Sequence, residues 1–437
     1  MIFVDENNIT YENAIASNIS YEEQLRRTVM AAILWEDNFY EDGITVSNRI
    51  KDLIGKVDKE TALNILFEAK FENKLRHIPL FMIVHMLKYN YICSEDIVKV
   101  ITRADDILEL LSLYINENGR KLNNQLKKAL SKALNKFDEY HFSKYTRKSN
   151  KIKFGDVIKL VHPKPSSKEQ SDLWKRIIEN KLKSPDTWEV NLSTKTDDTK
   201  TVFTRLIKEN KLGDLAFLRN LRLMLINGVD EELIRNEIVN RKWDKILPHQ
   251  FIIAYNKTIS FKEELELSLF KSLSGFKKIP GKTAILVDKS LSMGSTLSKN
   301  SEITRYSVAC GLSIMSKEVC EDADVFTFND RLCYVIKKHR GFDLLQALGA
   351  PKGGTCLGKA IKDLSKHGHY DNIIIVTDEQ SEDTPDFNAV NTKNVFIVNV
   401  GVYNKGISYE NEKVVHINGW SENTVTYITK YVCNKTN

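Results

Sequence analysis

The stretch Thr283–Ser292, TAILVDKSLS, sets the tightest limit on what this chain can fold into. An unbroken apolar run, Ala284–Val287, ends at Asp288-Lys289-Ser290-Leu291-Ser292. Such a run suits a strand buried on both faces, as in a parallel sheet. The polar cluster then falls at the strand's carboxyl end, where open α/β sheets bind ligands. Asp288, Ser290 and Ser292 alternate a carboxylate with two hydroxyls. This hard-oxygen set suits a divalent cation, Mg²⁺ first, with Mn²⁺ or Ca²⁺ as alternatives.

Two later segments extend the pattern. Lys352-Gly353-Gly354-Thr355 offers a hydroxyl on a glycine loop ahead of a helix, and Asn372–Asp378, NIIIVTD, is a second apolar strand ending in an acid. Asp288, Ser290, Ser292, Thr355 and Asp378 thus follow the DxSxS…T…D order of a metal-ion-dependent adhesion site. From about Phe276 onward the chain resembles a von Willebrand factor A domain. In such domains the open coordination position takes a partner's carboxylate, so the resemblance implies a docking site for an acidic side chain. The competing reading makes Ser290, Ser292 and Asp378 simple helix caps.

A chain of 437 residues is too long for one ordinary domain. Its hydrophobic content of 42% and charged content of 28% fit a soluble globular protein. No apolar run reaches the ~18 residues of a membrane span, and MIFVDENNITYEN lacks a signal peptide's basic and apolar regions. Cys93, Cys310, Cys320, Cys333, Cys356 and Cys433 show no CxxC or zinc spacing. They read as reduced thiols of a cytoplasmic protein with no membrane partner.

Residues 21–272 read as helix after helix. Glu22–Leu34, Glu60–Phe71, Ile78–Leu87, Asp105–Ile115, Lys121–Phe137 and later segments place apolar residues three and four apart. Short connectors at Gly43, Asp58-Lys59-Glu60, Asn118-Gly119 and Asn227-Gly228 separate them. This favours a degenerate stacked repeat of the HEAT kind over a four-helix bundle. After a linker the pattern changes to strands alternating with helices, the order of a mostly parallel sheet. The expected organisation is an all-α helical repeat over 1–274, a linker over 275–282 and an α/β, Rossmann-like domain over 283–437.

Charge is regional. Residues 1–100 hold 11 Lys/Arg against 16 Asp/Glu, a net of −5, whereas 119–183 hold 18 against 6, a net of +12. A basic stripe is the footprint of a polyanion site, and its bland alternative is a solvated lysine-rich surface. The candidate contacts are Arg120, Lys121, Lys127, Lys128, Lys144, Arg147, Lys148, Lys151, Lys153, Lys159 and His162. Lys121, Lys128 and Lys132 are expected on one helix face, with Leu122, Leu126, Ala129 and Ala133 on the other. Tyr140, Phe142, Tyr145 and Phe154 interleave the run and either pack in the core or stack on unpaired bases.

Four phrases carry a second resemblance: Asp156–Pro165 (DVIKLVHPKP), Thr187-Trp188-Glu189, Leu215–Leu221 (LAFLRNL) and Ile246–Tyr255 (ILPHQFIIAY). In this order, ahead of an A domain, they look like the Ro 60 kDa family, whose members carry a TROVE module. The resemblance covers roughly 20–433 and is closest to bacterial or phage forms. It implies a HEAT-like ring that binds small noncoding Y-like RNA on an outer basic surface and single-stranded 3′ ends of misfolded RNA in its cavity. It also implies an exoribonuclease, or another protein with an acidic side chain, as partner at the metal site. Arg219 becomes a candidate for the inner face, while Asn220, Trp188 and Glu189 read as packing residues. Where relatives often carry His two residues before the Asp of the first phrase, this chain has Phe154, so no contact there is carried over.

The expected function is RNA scaffolding in quality control, without catalysis. The alternative is a metal-dependent protein adaptor. A nuclease is disfavoured because Asp288 and Asp378 lack a paired base or second metal cluster. Glu379 is the conceivable base, but a solvated or capping carboxylate is the expected role.

Overall fold

Helix starts are written in side-chain caps. Asp58, Asn123, Asp138, Ser167 and Asp198 each accept a hydrogen bond from a backbone N–H of the turn that follows. Each cap satisfies a donor that the first turn leaves without a partner inside the helix. The computed structural model describes residues 10–14, 16, 20–32, 41–146, 150–194, 197–243, 246, 248–297, 303–335, 337–403, 406–407, 412–419 and 423–435. They form two compact units, 50–212 and 1–49 with 213–437. The change from helices to alternating strands and helices falls inside the second unit, between Leu273 and Ile279.

The first unit is helical throughout its described residues. Ten consecutive residues of helix His77–Lys88, Ile78–Leu87, are buried, so this helix is covered on every side. It packs against Ala104–Asn118. Asp106, fully buried, accepts from the backbone N–H groups of Thr102 and Arg103 at 3.1 Å and lies 3.4 Å from the Lys70 ammonium. Lys70 reaches it from a π-turn, Glu68–Glu72, that ends the α-helix at Phe67. Periodicity alone extends that helix to Phe71.

Other boundaries shift for similar local reasons. The expected Lys121–Phe137 helix begins only at Asn124 and passes into a 3₁₀ turn after Ala133. Asn123 caps it by accepting from the Gln125 N–H at 2.8 Å, and the Tyr114 hydroxyl holds the preceding loop at Lys121 O and Asn123 N. Lys121 is therefore off the helix and shares no helical face with Lys128 and Lys132. Gly43 opens a helix, Gly43–Ile54, rather than a connector, because Asp42 accepts from the Thr45 N–H at 2.7 Å.

In the second unit a six-stranded sheet has the order β3-β2-β1-β4-β5-β6. The strands are β1 Ile279–Asp288, β2 Cys320–Phe328, β3 Leu332–Val335, β4 Asn372–Thr377, β5 Asn394–Asn399 and β6 Val414–Asn418. All pairings are parallel except β2 with β3. Every residue of β4 and β5 is buried, as for strands covered on both faces. Leu286, Phe326, Ile373 and Ile375 pack against Leu357, Ala360, Ile361 and Leu364 of helix Leu357–Leu364 on one face. Helix Arg305–Val319 packs against β1, β2 and β4. Burying one such leucine or phenylalanine contributes about 1.5–3 kcal/mol.

The N-terminal segment is sewn to the carboxyl end of this sheet. Thr10 donates its hydroxyl to Ser381 O at 2.9 Å, and the Tyr11 N–H donates to Gln380 Oε1 at 2.9 Å. Helix Tyr21–Ala31 sends Arg27, 2% exposed, to an ion pair with Glu379, 0% exposed. The His416 Nδ1 lies 3.1 Å from the same carboxylate. Removing one partner of a buried pair strands the other charge. Arg27→Ala is expected to cost roughly 3–5 kcal/mol in urea unfolding, and the double change Arg27→Leu/Glu379→Leu clearly less. A single-variant cost under about 1 kcal/mol would contradict the pairing.

Burial drives the His85 imidazole down from 6.5 to about 4, and its Nε2 has no hydrogen-bond partner. Its edge meets the Phe81 ring with centroids 4.5 Å apart. The unfolded chain binds this proton first, so the contribution is intact above pH 6.5 and lost as pH falls toward about 4. His85→Leu is expected to flatten this acid limb by roughly 2 kcal/mol, read from unfolding midpoints at several pH values.

Candidate metal centre and nucleic-acid surface

β1 delivers Asp288 to the carboxyl edge of the sheet, and β4 delivers Asp378 one residue past its end. The Ser290 N–H donates to Asp288 Oδ1 at 2.9 Å, turning the chain so that the Ser290 and Ser292 hydroxyls stand 3.1 Å apart. The Thr377 hydroxyl donates to Asp288 Oδ2 at 2.6 Å and joins the two strand ends. The glycine loop is fastened beside them. Its Lys352 N–H donates to Lys289 O at 2.7 Å, and the Leu291 N–H donates to Gly353 O at 3.2 Å. Thr355 is held from the other side, its carbonyl accepting from the Glu382 N–H at 2.7 Å and the Ser381 hydroxyl at 3.0 Å. Asp288, Ser290, Ser292, Thr355 and Asp378 are all buried.

Two carboxylates buried together resist ionising. Burial, then the charge of Asp378, pushes Asp288 up to about 7. Burial raises Asp378 too, against the opposing pull of the Arg305 guanidinium and the Ser292 hydroxyl. The Asp378 Oδ2 atom has no hydrogen-bond partner although it is buried. A hard cation held among these oxygens satisfies that atom and offsets both charges. The donor set therefore fits a divalent ion, with Asp288, Ser290, Ser292, Thr355 and Asp378 as the residues that would hold it. Such an ion would supply Lewis-acid attraction for a further oxygen donor.

Several contributors are invisible in the linear motif. Arg305, 1% exposed, lies with its guanidinium carbon 5.6 Å from the Tyr403 ring centroid. Gly401 approaches so closely that a Cβ there would come within 2.9 Å of the Asp378 carbonyl. Glu379 is neither solvated nor a cap. It is fully buried against Arg27 at φ 59°, a left-handed conformation uncommon outside glycine. Asp330, Cys356 and Glu382 also bring ligand atoms within 4.8 Å of one another around the same glycine loop.

The basic candidates lie in the first unit, apart from Arg219. Arg120, Lys121, Lys127, Lys128, Lys144, Lys151, Lys153, Lys159 and His162 are all exposed, and Arg147 and Lys148 lie outside the described residues. Helix Asn124–Ala133 buries Leu126, Ala129, Leu130 and Ala133 and turns Lys127 and Lys128 to solvent. It packs against Phe154–Val161, which carries Lys159. Lys132 and Arg176 instead pair with Glu95 and Glu139 at 2.5 and 2.9 Å. His162 ends its helix in a left-handed conformation, φ 49°.

The aromatics divide. Phe142 and Phe154 are core residues meeting edge-on with centroids 4.9 Å apart. Tyr140 is 46% exposed, and the Lys144 ammonium lies 5.7 Å from both the Tyr140 and Tyr145 ring centroids. Asn220 is a packing residue, buried and donating to Ala216 O at 2.8 Å, and the Trp188 ring stacks on Phe203. Arg219 is exposed on helix Asp214–Ile226 in the second unit.

Comparison with known proteins adds two findings. A TROVE domain model matches residues 175–266, which contain three of the four phrases. The fold is similar to that of the Ro (RSR) protein of Deinococcus radiodurans, with a TM-score of 0.62 over 94% of this chain and 100% of that one at 12% identity. None of the curated proteins compared matches the chain.

Asp378→Ala is expected to weaken Mn²⁺ binding by roughly tenfold or more in isothermal titration, with the circular dichroism unchanged. Equal affinity in parent and variant would remove Asp378 from the ligand set.

Proposed function

We propose that this chain, which carries a TROVE domain on the fold of a Ro protein, is an RNA-binding protein of the Ro type. The observation that carries the surface assignment is a set of exposed cations without ion-pair partners. Among the described residues, Arg120, Lys121, Lys127, Lys128, Lys151, Lys153 and Lys159 have none, whereas the neighbouring Lys132 and Arg176 are neutralised. A phosphate backbone offers the regularly spaced negative charge that such a surface lacks. Structured RNA is recognised mostly through shape and phosphates, which suits a surface made of lysine tips. Tyr140 and Tyr145 stand beside Lys144 as stacking platforms for unpaired bases.

In this reading the ligands are small noncoding, Y-like RNA and misfolded RNA with single-stranded 3′ ends. The buried oxygen cluster at Asp288 and Asp378 is a separate docking point. With Mg²⁺ bound, it accepts a carboxylate from a partner such as an exoribonuclease, and the protein acts as scaffold rather than enzyme. Glu379 is unsuited to abstract a proton because Arg27 already engages it in the core.

The test is anisotropy of a stem-loop RNA with a 3′ tail, titrated across salt. Lys127→Glu/Lys128→Glu/Lys153→Glu/Lys159→Glu is expected to weaken binding at least roughly tenfold and to reduce the slope of log affinity on log salt by about 1 per lost phosphate contact. Parent-like affinity and slope would refute this surface. Mg²⁺-dependent RNA cleavage lost in Asp378→Ala would replace scaffolding by catalysis.

A further inference from the structure

A cavity of about 270 Å³ opens beside the carboxyl ends of β1 and β2, and no carboxylate lines it. Its walls include Lys289, Arg331, His339 and Lys352, with Thr327 and Tyr334 between them. This size is near the lower end of small-ligand pockets, ~300–1,000 Å³. It has room for a phosphate and its sugar.

The cations are built in, not incidental. Lys289 is only partly exposed, and its ammonium donates to Leu348 O at 2.7 Å, which fixes the nitrogen while leaving further N–H groups to give. Gly349, at φ +72°, makes room for it, because a Cβ there would lie 2.8 Å from that nitrogen. The Arg331 and Lys352 side chains have no hydrogen-bond or ion-pair partner among the described residues. Their backbones are fixed, since Asn329 Nδ2 donates to Lys352 O at 2.9 Å and the Asn329 N–H donates to Arg331 O at 3.2 Å.

A neutral donor completes the set. Thr327 is 5% exposed, lines the cavity, and its hydroxyl has no partner among the described residues. That hydroxyl is therefore available to donate into the cavity.

We propose that this cavity binds a phosphomonoester, with Lys289, Arg331 and Lys352 on its charge and Thr327 donating to a phosphate oxygen. A dianion matches several converging cations better than a single carboxylate does, and the guanidinium fork reads phosphate oxygens in pairs. Two sources share this chemistry: a free nucleotide and the phosphorylated end of an RNA. The site does not depend on the basic surface of the first unit.

The experiment is isothermal titration of the full chain with adenosine 5′-monophosphate, adenosine and acetate. Short RNA oligonucleotides with and without a 5′-phosphate are titrated in parallel. The monophosphate is expected to bind at least tenfold more tightly than adenosine or acetate. Arg331→Ala/Lys352→Ala removes two exposed side chains without hydrogen bonds and is expected to weaken that binding at least tenfold at unchanged thermal stability. Preference for the phosphorylated oligonucleotide assigns the RNA end as source, and monophosphate binding without that preference assigns a free nucleotide. Equal binding of monophosphate and adenosine, or full affinity in the double variant, would overturn the proposal. A Lys127→Glu/Lys128→Glu variant separates the readings, because it weakens RNA binding by the basic surface and leaves the monophosphate affinity as it was.

Discussion

Two carboxylates share one buried corner, and much of the second unit is arranged around that electrostatic problem. Parallel pairing of β1 with β4 brings their carboxyl ends side by side, so Asp288 and Asp378 are forced into proximity by backbone register. Hydroxyls from Ser290, Ser292 and Thr377 soften the repulsion, and Arg305 supplies the nearest opposing charge on Asp378. A divalent ion bound there would satisfy the Asp378 oxygen that has no donor. The site is thus a consequence of how the sheet is ordered, elaborated by the two loops that cover it.

The cover is itself fastened by polar contacts one layer out. Arg27 and Glu379 form a buried pair next to Asp378 with the partly exposed His416 beside them, and Thr10 and Tyr11 close over Gln380 and Ser381. Glu379 adopts an unfavourable backbone conformation there, which persists only where surroundings over-determine it. Rigid support of this kind keeps ligand oxygens in place without the ligand.

What the sequence disclosed followed physical locality. Asp288, Ser290 and Ser292 sit on a strand end recognisable from its apolar run, and Asp378 ends another, so their placement was readable from two short windows. The helical half was readable where amphipathic segments exceeded two turns. Short helices such as Ser94–Val100 and Gly341–Leu348 span only about two turns and too few repeats of the apolar spacing to be read from the sequence. Lys121 was misplaced because an asparagine cap outranked the continuing apolar spacing. Arg305 and Arg27 could not have been found this way, since a buried arginine looks like any surface arginine until its partner is known. The cationic cavity was hidden for the same reason: Thr327, Arg331 and Lys352 meet only after β2, β3 and the glycine loop have assembled.

The hydrogen bond from Thr10 to Ser381 spans 371 positions of chain. Closing so long a loop is entropically costly and slow relative to local contacts. During synthesis the early segment must wait, unsatisfied, until four of the six strands and Ser381 have emerged from the ribosome. Closure of the N-terminal segment over Gln380 and Ser381 is therefore a late event in folding, and chains lacking that segment would expose Glu379 and its neighbours to chaperones and proteases.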